Sequence, residues 1–474
     1  MTPDGIGAHT IACALDRVKA LPQLVQHQHV LDAGHGAGHV WRDGVLNPLA
    51  TIALFLIQTL HGNTACEHLR HLSPLRFTAS AYCQARRRLP LTMFQHLLRT
   101  ITDGMFDATE SIARWRGHRT FLLDGSSFSM PDTPELMKRF GHPSGQQPGC
   151  GFPCAHLMIL CDLATGLIRH IVGGPLFTHD LAEGVKMHRA LRRGDLVIAD
   201  RGFAGWAFFA LYMQHELHAV IRKHQRLIMT FNPRKTRHPN GVWVRLDLLE
   251  KDDQVIEWFK PTQRPAWISA SAYDALPPSM IVRVIHYTVR RRGFRTKQVT
   301  LLTTLVDHTQ YPKAEIMTLY RRRWEIETNI RCLKETRGMH TLRCQTVTGV
   351  QKELIMYAIA YNLVRMEMVK AGHVQQVDPR RISFVDTLRS LWARAGEVRP
   401  RAPADTDAPL HLVVNPMRPG RLEPRAVKRR PKQQRRLTIP RAEARQRLQH
   451  QQLAASLHGI RVGSLFPDSS FLIQ

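Results

Sequence analysis

TFLLDGSSFSMP, residues 120–131, and LVIADRGF, residues 196–203, follow one pattern. In each, a short apolar run, Phe121 to Leu123 or Leu196 to Ala199, leads directly into an aspartate, Asp124 or Asp200, with a glycine one or two positions later. Continuous apolar runs of this length bounded by turn residues read as buried strands, so each aspartate is expected where a strand leaves the core. Between them lie HLMILCDLATGLIRHIVGG (156–174), a hairpin turning at Thr165-Gly166, and DLAEGVKMHRALRRGD (180–195), helical in period. AGWAFFALYMQHEL (204–217) reads as a further helix and HAVIRKH (218–224) as a further strand. The order β, β, β, α, β, α, β predicts an α/β core, a three-stranded meander followed by α/β units with helices on the sheet faces.

Aspartates at the ends of neighbouring strands can share hard divalent cations, which take oxygen ligands and keep several waters. Taken singly, each reads equally well as an ordinary strand-end turn residue, and Asp132 and Asp162 read that way too. Glu327 is the candidate third carboxylate. Tyr320, Arg323, Glu327 and Lys334 recur at spacings that put them on one helix face. Leu319, Ile326, Ile330 and Leu333 form the neighbouring apolar stripe, which would seat the helix on the sheet and turn its polar face to the edge where the aspartates emerge. Alone, Arg323 and Glu327 read as a surface i, i+4 ion pair of small energetic weight.

The chain is strongly basic: 474 residues with 66 Lys+Arg against 38 Asp+Glu carry a formal charge of +28, while 43% hydrophobic residues suffice to build cores. A folded chain with this charge implies an anionic partner, and nucleic acid is the commonest. The longest apolar run, LATIALFLIQTL (49–60), is too short for a span of about 20 residues and reads as a buried helix, so no membrane association is expected. No secretory signal is visible at the N-terminus, and the expected location is cytoplasmic and nucleoid-associated. The eight cysteines have no zinc-finger spacing and are expected as reduced thiols. GxxxxGK[ST] is absent, so no P-loop chemistry is implied.

Residues 1–115 read as a helical N-terminal domain. Pro74 ends one helix, Thr78 or Ser80 caps the next, and Pro90 ends that one. The second carries Arg86, Arg87 and Arg88, an arrangement that fits either a helix-turn-helix with a basic recognition helix or an ordinary solvated face. Residues 116–225 form the first part of the core, and 226–297 a β-rich insertion, from the alternation in GVWVRLDLLE, QVIEWFKP and MIVRVIHYTV. MIVRVIHYTV and KQVTLLTTLVD are expected to pair across a tip bearing Arg290, Arg291, Arg292 and Arg295. Residues 298–373 complete the core with the Glu327 helix. The remainder, 374–474, is Pro- and Arg-rich, with twelve Lys/Arg against two acids between Arg418 and Arg447. Such a tail binds nucleic acid through counterion release.

Tyr320, two residues, Arg323, three residues, Glu327, six residues and Lys334 reproduce the Y(2)R(3)E(6)K signature of the DDE transposases of bacterial insertion sequences, IS-four type, which this chain resembles. Asp200-Arg201-Gly202-Phe203 resembles the motif that precedes the signature in that family, and Asp124-Gly125 the first aspartate motif. The resemblance covers most of the chain. It implies a ribonuclease H-like catalytic core, and the distance of 127 positions from Asp200 to Glu327 leaves room for the β insertion some members carry. It further implies a cut-and-paste transposase in which Asp124, Asp200 and Glu327 hold two Mg²⁺ or Mn²⁺ ions. Tyr320, Arg323 and Lys334 would grip phosphates near the scissile end. The expected partners are double-stranded DNA, as transposon ends and target, and a second copy of the chain in a synaptic homodimer. An aromatic of the insertion, Trp243, Trp258 or Trp267, would hold a flipped base. The competing reading is a non-catalytic or decayed DNA-binding protein derived from a transposase.

Overall fold

The computed structural model describes residues 27–42, 44–112, 114–143, 151–178, 180–289, 298–336, 338–396, 411–416, 443 and 445–451. Helices open the described chain: α1 (His27–Gly36), α2 (Pro48–Leu60), α3 (Leu69–Leu72), α4 (Ala79–Arg88) and α5 (Leu91–Ala108). Local signals set their ends. Asn47 caps α2, its side chain accepting from Ala50 N with Pro48 in the first turn, and Thr78 caps α4 by accepting from Ala81 N. α2 is buried along nearly its whole length, as its apolar run predicts.

β1 (Arg114–Trp115) turns through Arg116 and Gly117, both at positive φ, into β2 (His118–Ser129). There follow α6 (Pro134–Phe140), β3 (Cys154–Asp162), β4 (Ile168–Pro175), α7 (Asp180–Lys186), β5 (Leu196–Ala199), α8 (Trp206–Gln214) and β6 (His218–Arg222). β7 (Trp243–Glu250), β8 (Asp253–Phe259), the short α9 (Ala270–Asp274), β9 (Ser279–Thr288) and β10 (Gln298–Thr303) come next. The strands form one mixed sheet in the order β4-β3-β2-β5-β6-β10-β9-β8-β7, with β1 on β2. β2, β5 and β6 are parallel to one another and the other pairings are antiparallel. The hairpin of β3 and β4 turns at Asp162–Gly166 as expected. Asp162 Oδ1 there accepts from Ala164 N, Thr165 N and Thr165 Oγ1, which makes Asp162 a turn residue.

One expectation is corrected. β2 does not stop at Asp124: it runs on to Ser129, because β3 continues to pair with it from Asp124↔Ile159 to Ser129↔Cys154 after β5 has ended at Ala199. β9 pairs with β10, as the sequence predicts, and β10 pairs with β6, so β7 to β10 extend the central sheet at one edge. The arginines of the hairpin tip, 290–297, lie outside the described residues, as does most of the basic tail.

The chain closes with α10 (Lys313–Arg321), one 3₁₀ turn (Arg322–Trp324), α11 (Glu325–Arg331), a π turn (Cys332–Thr336), α12 (Val347–Val374) and α13 (Phe384–Gly396). α12 is buried over most of its 28 residues and shares one apolar core with α1, α2, α5 and one face of the sheet. On the other face Leu122, Ile198 and Val220 pack with Leu319, Tyr320 and Ile326 of α10 and α11. Arg119 ties α5 to β2 from within the core: Nε meets Asp162 Oδ2 at 2.9 Å, and the other nitrogens donate to Phe106 O and Thr109 Oγ1. A buried ion pair with its remaining donors satisfied in this way avoids the desolvation cost of an unpaired charge. Among the described residues no helix is long and apolar enough to cross a membrane.

Candidate active site

Leu123 of β2 stands opposite Ala199 of the parallel β5, so Asp124 and Asp200 are the next residues along two hydrogen-bonded strands. Each has one carboxylate oxygen fixed by the glycine that follows: Gly125 N donates to Asp124 Oδ1 and Gly202 N to Asp200 Oδ1, both at 2.8 Å. In the "DG" and "DRG" motifs alike a local backbone bond holds the carboxylate, within β2 for Asp124 and just past the end of β5 for Asp200. Strand alternation turns Asp124 to the same face as Leu122, toward α10 and α11.

The expected helix carries Tyr320, Arg323, Glu327 and Lys334 to this edge, though not as a uniform helix. The 3₁₀ turn at Arg322–Trp324 and the π turn at Cys332–Thr336 tighten and then widen it around Glu327; such departures from the α-helix recur at functional sites. Arg323 Nη1 lies 3.5 Å from Asp124 Oδ2, and Nη2 lies 3.3 Å from Glu327 Oε1. Arg323 therefore stands between two of the three carboxylates, and the i, i+4 pair is part of a larger charge cluster. Lys334 Nζ donates to Ser127 O at 2.6 Å and Ser126 Oγ at 3.2 Å, fastening the far end of the helix to β2 just beyond Asp124. Tyr320 is buried in the core beneath Arg323. Glu327 is the outermost member, its side chain 58% exposed against 22% for Asp124.

The electrostatics follow from this crowding. Burial pushes the Asp124 carboxyl up to about 6; the charges of Asp200 and Glu327 push the same way, while Arg323 and the Gly125 N–H oppose it. Burial works against the Arg323 charge, but Tyr320, Asp124, Glu327 and Asp200 more than offset it, leaving its pKa above the ordinary arginine value. The Tyr320 hydroxyl is held well above its usual range, chiefly by burial.

Among the described residues no three Asp, Glu, His or Cys side chains close on a single point. The donor set nevertheless suits a hard divalent cation: all three groups are carboxylates. A cradle also stands beside them, since a Cβ built on Gly202 would lie 3.0 Å from Asp200 Oδ1 and 3.6 Å from Asp180 Oδ2.

Arg86 is not placed as a DNA contact. Its guanidinium turns inward, donating to Gln58 Oε1 at 2.8 Å and Cys344 Sγ at 3.1 Å, and lies 4.3 Å from the centre of the Phe55 ring. The bond to Cys344 and the stacking on Phe55 bind α4 to the chain before α12 and to α2. Arg87 and Arg88 are exposed. Among the three tryptophans, Trp243 and Trp258 are buried, and Trp243 Nε1 donates to Ile228 O. Trp267 is half-buried and lines an apolar cavity of about 390 Å³ with Trp206, Tyr273, Pro261, Pro265 and Leu181.

Three residues of this edge escaped the sequence reading. Asp180 opens α7, and His156 Nε2 meets its Oδ1 at 2.7 Å. Trp324, within the signature itself, is 59% exposed beside Arg323; a large indole on an otherwise polar helix face was the available signal. No spacing rule links His156 to Asp180, which meet only through the fold.

The chain matches the transposase DDE domain family over residues 115–363, a span that holds both aspartates and the entire helix of Glu327. It is 26% identical over 363 residues to transposase InsG for insertion sequence element IS4 of Escherichia coli (strain K12), covering 74% of this chain and 77% of the relative. Among solved structures it resembles a piggyBac transposase synaptic complex with hairpin DNA, at 9% identity and a TM-score of 0.43 over 80% of each chain. With the family match spanning more than half its length, the chain belongs to the DDE-domain transposases and, within them, to the IS-four type.

Proposed function

We propose that the chain binds the ends of its own insertion sequence and catalyses divalent-cation-dependent cleavage and strand transfer, with Asp124, Asp200 and Glu327 as the cation ligands. One observation carries the reading: two aspartates at matched positions on adjacent parallel strands meet a glutamate brought in by a packed helix, with a single arginine among them. The strand order β4-β3-β2-β5-β6, a meander joined to two parallel α/β units, supports a ribonuclease H-like core. Two Mg²⁺ or Mn²⁺ ions, when bound, would activate the attacking oxygen and stabilise the leaving oxygen of an in-line displacement at phosphorus.

The protein's own groups supply binding and order. Arg323 offers a forked donor and Lys334 a point charge toward phosphate, and the Ser126 and Ser127 anchors fix where Lys334 stands. Tyr320, buried with Leu319 and Ile326, would seat the turn that carries Arg323. Arg87 and Arg88 contribute phosphate contacts outside the catalytic edge, together with the basic tail. Trp267 is the insertion aromatic with both an accessible face and an adjoining cavity of a size to take an unpaired base, so it takes that role over Trp243 and Trp258. Synapsis of two ends calls for a homodimer.

The deciding experiment is Mg²⁺-dependent cleavage of a labelled duplex carrying the gene's own flanking sequences, with Glu327→Ala run in parallel. Strand-specific nicking at the element end that is lost in the variant supports the reading. End binding without cleavage by the wild type replaces it with the non-catalytic DNA-binding alternative.

A further inference from the structure

Asp180 and His156 have no place in the mechanism above, yet they stand between its two aspartate motifs. His156 lies on β3 opposite Ser127 of β2, and its Nε2–H donates to Asp180 Oδ1 at 2.7 Å. Its Nδ1 is buried without a hydrogen-bond partner, so the ring has one polar contact and Asp180 is that contact. A Cβ built on Gly125 would lie 3.1 Å from His156 Nε2 and 3.3 Å from Asp180 Oδ1; one built on Gly202 would lie 3.0 Å from Asp200 Oδ1 and 3.6 Å from Asp180 Oδ2. Neither glycine has a positive φ, so backbone conformation does not demand it. Both leave room for the same carboxylate. One methyl group at position 202 would touch Asp180 and Asp200 together.

We propose that Asp180, held in place by His156, is a positioning residue behind the cation centre that acts across Gly202 through Asp200; the inference rests on the reading of Asp124, Asp200 and Glu327 as cation ligands. Mg²⁺ and Mn²⁺ retain water when bound to a few carboxylates, and an acidic group just beyond the ligands accepts hydrogen bonds from that water and deepens the negative potential. Asp180 is half-exposed, and the His156 bond helps to hold its carboxylate in place. Its place in the first turn of α7 also favours a negative charge there for the helix's own sake. That bland role predicts an effect on stability and none on cation affinity.

The test is direct Mn²⁺ titration of the full-length protein without DNA, read by the electron paramagnetic resonance of free Mn²⁺. Wild type, Asp180→Asn, Asp180→Glu, His156→Gln and His156→Phe are compared, with Asp200→Asn as control. Asp180→Asn keeps the size and hydrogen-bonding capacity of the side chain and removes only the charge; it is expected to weaken Mn²⁺ binding roughly 10- to 100-fold, the range seen when groups behind metal ligands are lost. Its melting temperature and its affinity for duplex ends should stay at the wild-type values. Asp180→Glu should recover most of the affinity, and His156→Gln, which keeps a donor, should retain more than His156→Phe. In cleavage assays the Mg²⁺ concentration for half-maximal rate should rise in Asp180→Asn with little change in rate at saturation. Wild-type Mn²⁺ affinity in Asp180→Asn, alongside its loss in Asp200→Asn, overturns the proposal and leaves the centre intact. If Asp200→Asn also binds as wild type does, the centre itself is misassigned and both readings fall.

Discussion

Arg323 Nη1 lies 3.5 Å from Asp124 Oδ2, with the other guanidinium nitrogen turned to Glu327. The carboxylate edge thus carries its own counter-charge, offsetting repulsion between carboxylates that burial has brought together. Two bound divalent cations would compete with that guanidinium for the same oxygens. On the proposed function, cations held by these carboxylates would leave Arg323 available to a phosphate.

The raised Asp124 carboxyl makes a stability prediction whose sign can be worked out. In the folded chain it ionises at about 6 rather than near the ordinary 3.8. The folded state therefore holds a proton that the unfolded chain has lost, and its stability falls as pH rises from about 4 through about 6, with the full cost present above. Asp124→Asn escapes this cost. Its melting temperature should exceed that of the wild type at pH 8, and the difference should shrink toward zero at pH 4. A wild-type advantage at pH 8 would show that the carboxylate is stabilised in place by its neighbours.

The same group sets a pH limit on chemistry. With Asp124 as a cation ligand, as proposed, its protonation would compete with Mg²⁺, so at subsaturating Mg²⁺ cleavage should fall as pH drops through about 6, and added Mg²⁺ should move the midpoint lower. Asp124→Ala, Asp200→Ala and Glu327→Ala should each reduce the rate more than 10³-fold and leave end binding within about twofold, because the loss lies in the chemical step. Filter binding and single-turnover cleavage on one preparation separate the two effects.

Lys334 is expected to behave otherwise. Lys334→Ala removes a phosphate contact and unfastens the π turn from Ser126 and Ser127. End affinity should fall about tenfold, and the slope of log affinity against log salt should flatten by about one charge. A slope unchanged from wild type would mean that Lys334 serves the helix and not the DNA.

The sequence made the juxtaposition of the candidate carboxylates legible because its parts are local. Asp124 and Asp200 each follow an apolar run and precede a glycine, and Glu327 sits in a fixed spacing on an amphipathic helix. Parts that depend on long-range pairing could not be read the same way. Nothing in TFLLDGSSF reveals that β3 carries β2 five residues past Asp124, and nothing in HAVIRKH reveals that β6 has β10 as its second neighbour. His156 and Asp180 meet only because those pairings place them together. Arg86 shows a limit of composition: in a run of three arginines the helix phase alone decides which one faces inward, and position 86 shares that inward side with Tyr82 and Ala85.

That phase gives a contrast within one helix. Arg86→Ala removes bonds to Gln58 and Cys344 and the stacking on Phe55, and should cost about 2–3 kcal/mol of stability. Arg87→Ala and Arg88→Ala should leave the melting temperature within about 1–2 °C of wild type and weaken duplex binding, each with a shallower salt slope. Thermal melts and binding at two salt concentrations suffice. Loss of end affinity in Arg86→Ala at a temperature where the variant is fully folded would restore the side chain to the DNA-facing set.

Trp267 is the last case, and it turns on which step is lost. Its half-buried indole lines a cavity with Trp206, Tyr273 and two prolines, whereas Trp243 and Trp258 are packed into the core. Stacking of an unpaired base on an aromatic ring contributes about 1–3 kcal/mol, so Trp267→Ala should lose roughly 10- to 100-fold in the step that extrudes the base, with end binding preserved. Trp267→Phe should keep most of the rate. An abasic nucleotide at the extruded position should rescue the alanine variant, since no unstacking cost then remains to be offset. If an abasic end fails to rescue Trp267→Ala while the wild type cuts it well, the ring shapes the insertion and does not receive a base. Trp258→Ala, by contrast, opens a buried core next to Phe209 and should lower the melting temperature first.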